Sequence, residues 1–98
     1  MAFINVTLTE ITDIAFPVFG AFEFIDSSGE SIVIHEKLLV VGVDMAEAKL
    51  SIPMTVPLEC TVTSQAHGIT QIDTSEPHGI SDIQGRTRFE VGSDFIVA

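Results

Sequence analysis

Ninety-eight residues suffice for one domain around a single core, and a hydrophobic content of 46% with a mean hydropathy of +0.45 supplies the material for it. Fourteen Asp and Glu against four Lys and Arg leave a formal charge of −10, a surface that repels phosphate and argues against nucleic-acid binding. The longest apolar run, Leu38 to Val43, is far too short for a membrane span, no secretory pattern opens the chain, and the lone Cys60 excludes an internal disulfide, which fits a cytoplasmic protein.

The 12 Ile, 10 Val and 9 Thr point to strands, because side chains branched at Cβ suit a pleated, half-buried surface. A first strand is read where Ile4, Val6 and Leu8 alternate with Thr7 and Thr9. Val18 to Ile25 reads as a second, with Phe22 and Phe24 on one face and Glu23 on the other. Asp26-Ser27-Ser28-Gly29 supplies turn formers. Ser31 to His35 returns as the partner of a hairpin, with either Ile32 and Ile34 or Val33 and His35 inward. Leu38 to Val43 reads as a fully buried strand or a packed loop. Asp44 to Leu50 is the one helical candidate, with Asp44 as cap, Glu47 at the capping-box position and Pro53 beyond its end.

Further along, Pro57 to Thr63 alternates with Leu58, Cys60 and Val62 inward. Gly68 to Thr74 follows, then Arg86 to Val91 with Thr87, Phe89 and Val91 on one face, and Ser93 to Val97 adds a short terminal strand. The sum is an all-β, mostly antiparallel fold over residues 1–98: a small single-domain barrel or sandwich of six or seven short strands with at most one short helical turn. One internal echo stands out, His67-Gly68-Ile69-Thr70-Gln71-Ile72-Asp73 against His78-Gly79-Ile80-Ser81-Asp82-Ile83-Gln84.

Residue types that carry chemistry are present without the spacing that chemistry requires. His35, His67 and His78 form no helix-face pair, and with Asp73 or Asp82 they make no recognised metal-ligand pattern, so no metal or cofactor is expected. Cys60 sits on the inward face of its strand, where a thiol acts as a small hydrophobe. No serine stands in a Gly-x-Ser-x-Gly elbow, no glycine-rich phosphate loop occurs, and only Lys37, Lys49, Arg86 and Arg88 are available to stabilise an anion. The chain does not read as an enzyme.

The positions Asp73-Thr74, Pro77, Gly79-Ile80, Gly85, Thr87, Phe89 and Val91 resemble a C-terminal motif, D-T-x-x-P-x-G-I…G-x-T-x-F-x-V, of a family of small acidic bacterial proteins of uncharacterised function. Asp26 to Gly29, Glu36-Lys37 and the stretch from Pro57 to Val62 also look similar. The resemblance implies a small cytosolic β protein and brings no catalytic residue; where the family has Trp between Pro and Gly, this chain has His78.

Charge and size suggest a non-catalytic protein-binding module, an acidic inhibitor or immunity-type protein whose carboxylates draw in a basic protein partner. The alternative is a structural or assembly subunit, such as a virion decoration or adaptor protein. Glu23, Asp26 and Glu30, in the stretch of 36 residues that precedes the first Lys or Arg, are the candidate acidic binding residues. Asp73 and His78, in the turn motif, are candidates if that turn is a binding loop rather than a structural one. No membrane contact is expected, and the oligomeric state is left open.

Overall fold

Alternation of apolar and polar residues builds seven strands: β1 (Ala2–Asp13), β2 (Phe19–Ile25), β3 (Ser31–Lys37), β4 (Met54–Ala66), β5 (Ile69–Asp73), β6 (Arg88–Gly92) and β7 (Ile96–Val97). They are seen in a computed structural model that describes residues 2–13, 17–43 and 52–97. All pairings are antiparallel, in the order β3-β2-β1-β4-β5-β6, with β7 returning to β1. The expected all-β architecture is therefore present, as a strongly bent half-barrel.

β1 causes the bend. Its first half, Ala2 to Leu8, pairs with Met54 to Cys60 of β4. Along its other edge Phe3 and Ile4 pair with β7, and from Thr7 onward it pairs with β2. Register slips between Leu8 and Glu10 and between Ile11 and Asp13 put extra residues in β1, and such bulges raise local twist. The Thr9 hydroxyl donates to the Ala21 carbonyl beside the first slip, at 3.2 Å.

The concave face holds one apolar cluster. Ile4, Val6 and Leu8 of β1, Phe22 and Phe24 of β2, Ile32 and Ile34 of β3, and Val56, Leu58 and Cys60 of β4 are all buried in it, together with Ile72, Ile80, Phe89 and Val91. Pairing registers align these positions, Leu8 with Phe22 and Phe22 with Ile34. This decides the hairpin face: Ile32 and Ile34 point inward, and His35 is exposed. Phe24 meets Phe89 edge to face at 5.3 Å, joining the two ends of the sheet. Thr70 and Thr74, fully buried, are satisfied by Ser93 Oγ at 2.7 Å and the Ile80 carbonyl at 2.8 Å.

Several local expectations are corrected. Leu38 to Val43 is neither strand nor loop: Leu38–Val41 makes one helical turn, α1, closed by Gly42 at φ 81°. Only Leu38 of that turn is buried, while Leu39 is exposed. The turn forms because Leu38 N–H is bound to the Val18 carbonyl and the Val43 amide closes onto the Leu38 carbonyl, a tertiary context that overrides the β preference of Val40 and Val41. The Asp44 to Leu50 helix candidate lies outside the described residues.

Val62 does not point inward but is exposed, because all six residues from Thr61 to Ala66 run past the core. Thr87 is only half-buried and precedes β6. Ser93 to Val97 is a 3₁₀ turn at Ser93–Phe95 followed by the two residues of β7. Among the described residues no helix is long and apolar enough to cross a membrane.

Candidate functional site

Two five-residue turns with the same backbone pattern meet in the fold. In Asp26-Ser27-Ser28-Gly29-Glu30, Asp26 Oδ1 accepts the Ser28 and Glu30 amides, each at 2.9 Å, and Gly29 N–H donates to the Asp26 carbonyl. In Asp82-Ile83-Gln84-Gly85-Arg86, Asp82 Oδ1 accepts the Gln84 amide at 3.0 Å and the Arg86 amide at 2.7 Å, and Gly85 N–H donates to the Asp82 carbonyl. Both turns rest on short Asp side chains that mimic a backbone acceptor and on a glycine with positive φ, 88° and 82°.

The fifth residues of the two turns meet. The Arg86 guanidinium contacts Glu30 at 3.1 Å and Asp82 Oδ2 at 2.8 Å. Backbone bonds run parallel to this clasp: Ser27 N–H to the Glu90 carbonyl at 2.7 Å and Ile83 N–H to the Val33 carbonyl at 2.9 Å. Beside it lies a shallow groove whose walls include Asp26, Thr63, Gln71, Arg88, Phe89 and Glu90. Arg88 reaches Asp73 at 3.6 Å, and Asp73 closes a turn of its own by accepting the Ser75 amide and hydroxyl at 2.9 and 2.6 Å. β5 thus ends where the turn motif was read.

Electrostatics follow from these bonds. Hydrogen bonding from the Ser28 hydroxyl leads the effects that hold the Asp26 carboxyl below its ordinary pKa, despite an opposing cost of burial. The Ser75 hydroxyl does the same for Asp73. Burial pushes Asp82 upward, but the Arg86 amide and guanidinium and the Gln84 amide outweigh it, and its pKa is lowered. Bonds to Asp82 and Glu30 raise the Arg86 guanidinium in turn. Both arginines are therefore spoken for.

The five sequence-derived candidates do not form one site. Asp26, Glu30 and Asp73 gather around the clasp and groove, where Asp26 is a turn acceptor and Glu30 an arginine partner. Glu23 lies on the convex face of β2 and accepts the Ser31 hydroxyl at 2.7 Å. His78 sits at another corner, its Nε2 3.0 Å from Glu59 Oε1, near the hollow that Pro77 shares with Ala2 and Cys60. Arg86, Arg88 and Phe89 of the groove, and Asp82 of the clasp, are the residues that the sequence did not place at a binding site. The repeated Asp-x-x-Gly spacing at 26–29 and 82–85 was the available signal.

The histidines stay apart: His35 stacks on Phe19 at 5.1 Å and contacts Thr12 Oγ1 at 2.6 Å, and His67 occupies a turn at φ 55°. Among the described residues no group of three or more His, Cys, Asp or Glu is arranged to hold a metal ion.

Cys60 is 3% exposed, and burial, assisted by the charge of Glu59, pushes its thiol up. A protonated, enclosed thiol reacts slowly. A thiol reagent added to native protein should therefore label Cys60 far more slowly than in denaturant; equal rates would show the side chain to be accessible. Against models of known protein families, curated proteins and solved structures, the chain matches none.

Proposed function

We propose that the chain is a non-catalytic, cytoplasmic protein-binding module whose acidic surface docks a basic protein, in the manner of an inhibitor or immunity protein. One observation carries this reading. Arg86 is paired with Asp82 and Glu30, and Arg88 stands 3.6 Å from Asp73, while Glu10, Glu23, Glu36, Glu76, Glu90 and Asp94 take part in no ion pair among the described residues. The field that a partner meets is thus negative, and it accelerates the approach of a basic surface.

The test is affinity capture from the native host, then stopped-flow association of the identified partner with wild type and with the combined Glu23→Gln, Asp26→Asn, Glu30→Gln variant across a salt series. The amides keep acceptor oxygens for the Ser28, Glu30 and Ser31 bonds, and the Glu30–Arg86 ion pair that is lost is partly exposed, so the melting temperature should fall by only a few degrees. Association should slow and its salt dependence weaken. A wild-type rate at every salt concentration would remove these three carboxylates from the docking surface.

A second reading, a structural subunit such as a virion decoration or adaptor protein, draws on Ile25 and Phe95. Both are about half exposed and share a hollow on the convex face beside Glu23. Large exposed apolar side chains placed side by side suit a contact in an assembly.

A further inference from the structure

β4 is longer than the strand beside it. Met54 to Cys60 is covered by β1, whereas Thr61 to Ala66 pairs with β5 along the opposite edge. Beyond Cys60, the edge that β1 covers is bare: among the described residues no backbone hydrogen bond reaches that side of Val62 to Ala66. All these residues are exposed on the sheet faces as well. The hairpin is held in shape by the two-residue turn His67-Gly68, both at positive φ, a geometry matched to the twist of paired strands.

Bare edges invite strand addition, and proteins blunt them with charges, Pro or bulges. Thr61-Val62-Thr63-Ser64-Gln65-Ala66 has no charge and no Pro, and one bulge, at Thr63. The surrounding sequence is equally distinctive. Cys60 to Ile72 is the longest stretch of the chain without Asp, Glu, Lys or Arg, in a molecule of charge −10.

We propose that this edge pairs with the same edge of a second copy of the chain, antiparallel about a two-fold axis near Thr63 and Ser64, so that two half-barrels share one continuous sheet. A strand in antiparallel pairing is its own complement about such an axis. The charge pattern selects the occupant: two copies of charge −10 repel, and this segment lets them touch without placing carboxylate against carboxylate. Glu76, whose carbonyl accepts the Thr61 hydroxyl at 3.4 Å, stands at one end of the edge. The two-fold axis sends the two Glu76 side chains to opposite ends.

The inference is independent of the acidic-surface reading and is tested on the intact chain without any partner. Sedimentation from micromolar to millimolar concentration should show a species of twice the 10.6 kDa chain mass. Its dissociation should be suppressed by added salt, which screens the mutual repulsion. Ser64→Glu puts two like charges beside the axis and should weaken dimerisation by about tenfold or more, since like charges facing each other across strands oppose pairing.

Gln65→Pro should do the same by removing an edge N–H. Ala66 and Ile69 close the two-residue hairpin as its bonded pair, so the Gln65 amide faces away from β5. Unchanged circular dichroism and melting of Ser64→Glu keeps the result interpretable if Gln65→Pro disturbs the hairpin. A 10.6 kDa monomer throughout, at high salt as well, overturns the proposal. So does a dimer indifferent to Ser64→Glu, or one abolished instead by Phe95→Ser.

Discussion

Phe22→Ala should cost about 3–5 kcal/mol of unfolding free energy, the usual range for truncating a large aromatic in a core. Phe22 is 1% exposed and lies in the middle strand of three. It pairs with Leu8 of β1 on one side and Ile34 of β3 on the other. The backbones on both sides are held by ladder bonds, which limits how far the strands can close on the space. Set against a typical domain stability of about 5–15 kcal/mol, this is enough to lower the urea midpoint strongly. Phe19→Ala serves as the comparison: Phe19 is only half-buried and stacks on exposed His35, so its loss should be much smaller. Equal losses in the two variants would mean that Phe22 is not in the packed core.

Asp82→Ala should be the most damaging change of a charged residue, at about 2–4 kcal/mol, because several donors lose their acceptor together. The side chain is 1% exposed and receives the Gln84 amide, the Arg86 amide and the Arg86 guanidinium. Water can take over part of the duty at Arg86, whose side chain is 38% exposed, which keeps the figure below that for an isolated buried charge. Asp82→Asn retains Oδ1 for the two amides and should cost less.

The same bonds set the acid response. With native pKa values below that of the unfolded chain, Asp26, Asp73 and Asp82 contribute stability that is fully present above the unfolded aspartate value of about 3.9. That stability is lost as pH falls through the lower native values. Chemical denaturation at successive pH values should show wild-type stability falling below about pH 4. The slope should be shallower in Asp82→Ala; an identical slope would remove Asp82 from the acid transition.

Strand existence and facing were set by local chemistry. Ile4, Val6 and Leu8, Phe22 and Phe24, and Leu58 and Cys60 point inward because a period of two leaves an apolar set only one side to occupy. The turn at Asp26 to Gly29 was equally legible, since its bonds are made within five residues. The echo between the segments beginning at His67 and His78 reads as coincidence or as two similar turn-to-strand entries, and only the first enters a strand, β5, while the second lies in the long connection to β6. The recurrence with structural content is Asp-x-x-Gly at 26 and 82, and pattern alone could not show that these two turns meet.

What required the tertiary structure were the contacts between segments far apart in the chain. Glu30 reads as a free surface carboxylate until Arg86, 56 residues later, is brought against it. Val62 reads as core until β4 is seen to outrun β1, and Leu38 to Val43 reads as a buried strand or a packed loop until the Val18 carbonyl captures the Leu38 amide. Alternation records which side of a strand is apolar, a property of neighbouring residues. Where the core ends, which charges are neutralised and which edge stays bare depend on how the sheet closes, and closure is set by long-range pairing that leaves no local period to read.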